Sequence, residues 1–164
     1  MSFNFSLVAV LEVSVAAATV WAAVPETRSE PIKVWRLGVA PLLGTVTAII
    51  ILAGAVASHG LELRWAVAAI IGAAIGGFVG NRAKVESDQI WGLVRLLPGY
   101  AGLIAAFGVL VFAGIDAAQT MFGYPVLPPE HDPAIGASLF AGFLDGRAWT
   151  IGVRASRAPH VELN

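Results

Sequence analysis

Three ionisable residues interrupt long apolar stretches of the sequence and are the first candidates for chemistry. Glu12 lies in one such stretch, and Asp145 and Arg147 lie in another. Charged groups at membrane depth are costly and usually face protein, water or each other. We therefore expect a buried cluster in which Arg147 is neutralised by Asp145, by Glu12 or by both. Asp116, close to the end of a third apolar stretch, is expected to be solvated.

This predicted cluster has two interpretations. It is either a polar contact that fixes one helix against another, or part of a route for a proton or solute built on Glu12 and Asp145. Carboxyl groups inside a membrane often mark such routes. A long arginine side chain can also extend towards the membrane surface while its stem stays in apolar surroundings.

Small residues recur at every fourth position in two apolar segments. The first set is Ala68, Gly72, Gly76 and Gly80, and the second is Ala134, Ser138, Gly142 and Gly146. A phosphate-binding glycine loop needs a preceding strand and a tight turn, and the sequence before these glycines predicts neither. On a helix, residues four apart share one face, and small residues there let two backbones approach closely in lipid. The pattern predicts helix packing, with a partner in this chain or in another.

Other patterns of catalysis and cofactor binding are missing from the sequence. Cysteine is absent, which excludes disulfides, thiolate metal sites and thiol redox chemistry. The histidines fall in predicted loops or the tail, where they do not suit a haem held between spans. His131 lies between Glu130 and Asp132, but a metal site needs three or four converging ligands. We expect no catalytic residues, no metal and no cofactor, and we interpret the chain as non-enzymatic.

The elements that position these residues follow from composition. Hydrophobic residues make up 57% of the 164 residues and charged residues 13%, about half the charged share of an average protein. The mean hydropathy is +0.78. A small globule cannot hide that much apolar surface from water, whereas a lipid bilayer tolerates it. The net charge of −1 gives no basic field that would suggest a nucleic-acid partner.

Five segments are candidates to span the bilayer, whose apolar core of about 30 Å needs about 20 helical residues. They are residues 5–24, 37–57, 65–80, 99–119 and 134–153. The first has no Lys or Arg before its apolar run, so we interpret it as an uncleaved helix and not as a signal peptide. The sequence predicts an all-α bundle of five transmembrane helices in a single integral membrane domain, residues 1–164.

Basic residues predict the orientation of this bundle. One side of the predicted membrane carries Arg28, Lys33, Arg36, Arg82, Lys84, Arg95, Arg147, Arg154 and Arg157. The other side carries only Arg64. Because cytoplasmic loops are rich in Lys and Arg, we expect the N-terminus outside and the C-terminus in the cytoplasm. Arg82, Lys84 and Arg95 are expected to meet lipid headgroups, and the loop around Trp91 is expected to form a tethered, hairpin-like connector along the inner surface.

Several stretches together resemble a known type of membrane protein. They are GAVASHG at 54–60, GLVRLLPGYAGL at 92–103 and LFAGFLDGRAWTIG at 139–152, with Leu97-Pro98-Gly99, Gly142 and Gly146-Arg147 as the motifs. In this order, they resemble small five-span bacterial inner-membrane proteins of unassigned function, with a layout like that of the CcdC-like membrane proteins. The resemblance implies a five-span topology in the bacterial inner membrane and no catalytic residues.

Two functions of different class fit these expectations. The first is an accessory, structural or assembly subunit that acts through helix–helix packing in a larger membrane complex or a homo-oligomer. The second is a small transporter or proton-conducting protein that uses Glu12, Asp145 and Arg147. The expected partners are the lipid bilayer and either other membrane subunits or further copies of this chain.

Overall fold

The computed structural model describes residues 6–28, 30–123, 126 and 132–161, without the side chains of 58 and 59. The chain is mostly helical. The α-helices are α1 (Leu7–Ala23), α2 (Val39–His59), α3 (Leu63–Arg82), α4 (Ala101–Phe122) and α5 (Pro133–Arg157). The strands are β1 (Ile32–Lys33), β2 (Val85–Asp88) and β3 (Leu93–Leu96). Short 3₁₀ helices cover Val24–Thr27 and Val34–Gly38.

Four of these helices, α1 to α4, are long and apolar enough to cross a membrane. Their length and composition fit a membrane protein. The five helices overlap the five segments expected from the sequence, and α5 continues past residue 153 to Arg157. α5 has a more polar composition than the others because it contains Asp145, Arg147, Arg154 and Arg157.

α5 lies at the centre of the bundle. It packs against α3 over its most extensive interface and also contacts α2 and α4, whereas α1 packs on α4 and α2. Alanines provide much of the shared core; Ala106, Ala113, Ala134 and Ala137 are fully buried. Small side chains let the helices lie close together, and many large apolar side chains are exposed, as in a protein whose surroundings are lipid.

A three-stranded antiparallel sheet closes one end of the bundle, which we call the sheet end. Its strand order is β1-β3-β2, with Ile32 paired to Val94 and Val85 paired to Leu96. Apolar side chains of the sheet pack with Ile151 near the end of α5. The prediction of an all-α fold was therefore incomplete, because β2 and β3 form a β-hairpin in the loop that was expected to be a connector.

The turn of that hairpin is stabilised locally. The backbone N–H groups of Ile90 and Trp91 donate to Oδ1 of Asp88 at 3.0 and 3.2 Å. Gly92 then adopts a φ of +60°, a left-handed conformation that favours glycine. The hairpin and β1 fix the direction of the helices: α1, α3 and α5 run towards the sheet end, and α2 and α4 run away from it, towards what we call the far end.

Candidate functional sites

The two sets of small residues predicted from the sequence lie against each other between α3 and α5. A Cβ at Gly72 would overlap the carbonyl group of Leu139, and a Cβ at Gly146 would overlap that of Ala73. Gly76 and Gly142 make equivalent approaches to Phe143 and Ala69. Contacts advance in the same direction along both helices, so α3 and α5 pack in parallel with their backbones touching. Such approach allows Cα–H···O contacts and dense van der Waals packing.

The remaining members of the two sets are also buried. Ala68 is 6% exposed and Ser138 is 3% exposed. At Gly80 a Cβ would lie 2.8 Å from the carbonyl oxygen of Arg147. Because α5 already covers the small-residue face of α3, a further protein would have to bind another surface of the bundle.

Arg147 does not join the cluster that the sequence predicted. Its guanidinium Nη1 instead donates to the carboxylate Oε2 of Glu26, in the 3₁₀ helix that follows α1. Each side chain of this buried ion pair is 8% exposed. The first turn of α4 lies beside it, since a Cβ at Gly102 would be 2.9 Å from Oε2 of Glu26 and 3.0 Å from Nη1 of Arg147.

Helix geometry explains why the predicted cluster of Glu12, Asp145 and Arg147 was wrong. Residues two apart on a helix are separated by about 200° around its axis, so Asp145 and Arg147 point to opposite sides of α5. Measured from the far end of each helix, Glu12 lies at about 8 Å, Arg147 at about 21 Å and Glu26 at about 29 Å. An arginine side chain can bridge the difference in depth between Arg147 and Glu26, but not the larger difference between Arg147 and Glu12.

Asp145 lies on the floor of a groove bounded by α2, α3 and α5. Its Oδ2 accepts a hydrogen bond of 2.9 Å from the hydroxyl of Thr45 on α2. The groove has a volume of about 1090 Å³. Apolar and small side chains line most of it, among them Leu42, Ala73, Gly77, Trp149 and Gly152. We call it the α2–α3–α5 groove.

Comparisons with known proteins give no relative for this chain. No protein-family model, no curated protein and no solved structure matches it. The resemblance to five-span bacterial membrane proteins therefore stays a prediction. What the sites do has to be inferred from their own geometry.

Glu12 has a different neighbour from the one predicted. It is buried, and its carboxyl group interacts with that of Asp116 on α4, the helix that packs against α1. Asp116 was expected to be solvated but is half-buried, because α1 and α4 pack along their length. The sequence contains a signal for this pairing that was missed. Glu12 lies five residues from the start of α1 and Asp116 lies six from the end of α4, which puts them at a similar depth.

The far end carries one more polar contact between helices. Asp132 caps α5: its Oδ1 accepts a hydrogen bond of 2.9 Å from the backbone N–H of Ala134. Its Oδ2 accepts one of 2.7 Å from the indole N–H of Trp65, which is 3% exposed on α3. Asp132 therefore joins the starts of α3 and α5.

The basic residues expected to meet lipid headgroups lie around the sheet end. The guanidinium of Arg82 lies 4.1 Å from the centre of the Phe78 ring, and Lys84 is exposed. Arg95 on β3 lies 3.7 Å from the carboxylate of Glu86 on β2. Arg82 and Lys84 are thus available at the surface, while Arg95 is partly neutralised across the hairpin.

Arg154 has a structural role that the sequence did not suggest. Its Nη1 donates to the carbonyl oxygens of Gly80 and Ala83, at 3.0 and 2.5 Å. The last carbonyl groups of a helix have no partner within the helix. Arg154 of α5 therefore caps the end of α3. Within the described ranges, no group of three or more His, Asp or Glu side chains is arranged to hold a metal ion.

Proposed function

We propose that this protein is a five-span protein of the bacterial inner membrane, with its sheet end in the cytoplasm, and that it acts as a non-enzymatic accessory or assembly subunit. It would bind a transmembrane helix of a larger membrane complex in the α2–α3–α5 groove. The location in the bacterial inner membrane is supported by the resemblance described for the sequence.

A fifth span is supported by the length and position of α5. Its 25 residues extend over about 37 Å, longer than the apolar core of a bilayer. Its polar composition fits its central position, because α2, α3 and α4 separate much of its surface from lipid. The orientation is supported by the nine basic residues that the sequence assigns to the side of the sheet end, against Arg64 alone at the far end.

The exposed carboxyl group of Asp145 is the observation that carries the proposed function. Asp145 lies about 18 Å from the far end of α5, close to the middle of a bilayer. An acidic side chain exposed to lipid at that depth is unfavourable. A helix that fills the groove would cover Asp145 and supply a partner for it. Ala73, Gly77 and Gly152 along the groove would allow such a helix to approach closely.

The chemistry of the groove favours a partner other than a second copy of this chain. An acidic floor is best matched by a Lys or Arg, or by a hydroxyl or amide donor, near the middle of the partner helix. Arg147 is the basic residue of this chain nearest to that depth, and Glu26 already neutralises it. A second copy would therefore bring no free cation to Asp145.

The test is purification from membranes in mild detergent, followed by mass spectrometry of the chains that co-purify. Among the glycines with open space where a Cβ would lie are Gly152 in the groove and Gly114 on α4, away from it. We expect Gly152→Leu to lose a stoichiometric foreign subunit that wild type and Gly114→Leu retain. Purification of the wild-type chain alone, or an equal yield of the subunit with both variants, would contradict the proposal.

A small transporter or proton-conducting protein is the second candidate function. The buried carboxyl group of Glu12 favours it, since such groups occur along proton routes. Glu12, Asp145 and Arg147 contact three different neighbours, Asp116, Thr45 and Glu26, which gives the accessory function more support. Conductance by the purified chain in liposomes would favour the transporter.

A further inference from the structure

Glu12 and Asp116 bring two carboxyl groups together inside the far half of the bundle. Glu12 on α1 is 2% exposed, and its carboxyl group interacts with that of Asp116 on α4, the helix that packs against α1. The second oxygen of Glu12, Oε1, has no hydrogen-bond partner among the described residues. The buried end of Glu12 is thus directed at another acidic group.

No Lys or Arg neutralises these two acids in the part of the chain that the structure describes. All ten Lys and Arg residues lie in the described part of the chain, and only Arg64 is at the far end, where it pairs with Glu62. α2, which also packs on α1, contains no Asp, Glu, Lys or Arg. Among the described residues, a further charged neighbour is Asp132 at the start of α5, which acts on Asp116 and is itself acidic.

Two adjacent carboxylates, one buried and one half-buried, repel each other strongly without a cation, and a hydrogen bond between two carboxyl groups requires a proton on one of them. A metal ion would need more ligands than this pair offers. We propose that Glu12 and Asp116 form a proton-binding site in which one proton is held between the two carboxyl groups. This inference does not depend on the proposed accessory function.

Asp132 gives this site a connection to the far-end surface. It is half-buried at the N-terminus of α5, fixed by Trp65, and it lies close enough to Asp116 to influence its charge. A row of three acidic residues, Glu12, Asp116 and Asp132, extends from the α1–α4 interface to the far end of the bundle. Protons would therefore exchange with the solution on the far side, and loss of the shared proton would weaken the contact between α1 and α4.

Infrared spectroscopy of the full chain in lipid vesicles at neutral pH tests the proposal. A protonated carboxyl group has a C=O stretching band separate from that of a carboxylate. We expect this band in wild type, its loss in Glu12→Gln, and a displaced band in Asp116→Asn, where the hydrogen-bond partner changes to an amide. Glu62→Gln, at the far-end surface, is the control and should leave the band unchanged.

A second measurement uses stability against pH. Since the native pair binds a proton, raising the pH should lower the melting temperature of wild type, and Glu12→Gln should reduce that dependence. The proposal is overturned if wild type shows no protonated-carboxyl band, if Glu12→Gln keeps it, or if Asp116→Asn leaves its position unchanged. If Glu12→Gln does not fold, the position of the protonated-carboxyl band in Asp116→Asn alone tests the proposal.

Discussion

Arg147 and Glu26, which are 121 positions apart in the chain, form a buried ion pair where the helical bundle meets the sheet. Glu26 follows α1, Arg147 belongs to α5, and Gly102 in the first turn of α4 lies against both. One contact thus joins three helices. Breaking a buried ion pair leaves the surviving charge without compensation, which is more damaging than the loss of the attraction itself.

Loss of one member of this pair should destabilise the protein. For Arg147→Leu we expect a loss of about 3–5 kcal/mol in the free energy of unfolding, because Glu26 is left buried without its cation. The measurement is a denaturant titration in detergent micelles. The double variant Glu26→Leu with Arg147→Leu should recover part of the loss. The control is Arg157→Leu, at an exposed position of the same helix, which should differ little from wild type.

If Arg147→Leu is as stable as wild type, the ion pair has no structural importance. If the double variant is less stable than either single variant, the cost of an uncompensated charge is not the reason for the loss.

The contact between α3 and α5 predicts opposite effects for alanine at two glycines of α5. Gly146→Ala places a Cβ against the carbonyl group of Ala73, and overpacking of this kind costs about 1–3 kcal/mol. Gly152→Ala places its Cβ in open space and should stabilise the helix by up to about 1 kcal/mol. The melting temperatures of the two variants should therefore lie on opposite sides of that of wild type. Equal melting temperatures would argue against the close approach of the two helices.

The cap that Arg154 provides predicts a local effect on α3. Arg154→Met removes the donors to the carbonyl groups of Gly80 and Ala83 but keeps most of the apolar stem. We expect faster amide hydrogen exchange in the last turn of α3, with α1 unchanged. Arg157→Met is the matched control on the same helix. Faster exchange throughout the bundle would show a general loss of stability and not the loss of a cap.

The proposed topology predicts opposite locations for the two chain ends. A reporter that is active only in the cytoplasm should give signal when fused after residue 164 and none when fused before residue 1. The same reporter inserted after Gly92, in the turn of the hairpin, should be active, whereas insertion after Gly60 should be inactive. Signal from fusions at both chain ends would mean an even number of spans.

Helices were the most predictable part of this fold, since long apolar runs determine their positions. The four-residue spacing of small residues also indicated which face of α3 would meet another helix, although it left the partner open. Strands β1, β2 and β3 were not predictable in the same way. β1 has two residues, and it pairs with a segment about 60 positions later in the chain. Pairing of this kind depends on the helices that bring the two segments together.

The charged residues show where sequence reasoning failed. The expected pairing of Arg147 with Asp145 is wrong because a separation of two residues places the two side chains on opposite sides of a helix. Glu26 lies outside the apolar run of α1, so a pattern of charges within apolar runs does not indicate it as a partner for Arg147. Depth along the helices places Glu12 and Asp116 at a similar level. Their pairing also requires that α1 and α4 are neighbours, for which the sequence gives no direct signal.

The central position of α5 has a consequence for biosynthesis. α5 is the last of the five helices to leave the ribosome, so α2, α3 and α4 are made before the helix that packs against all three. Until α5 packs against α3, no part of this chain covers the face of α3 that carries Gly72 and Gly76. During the same time, Glu26 lacks Arg147 as its ion-pair partner. An insertase or chaperone that shields a partly assembled bundle would act during this interval, and ribosome stalling before residue 133 would prolong it.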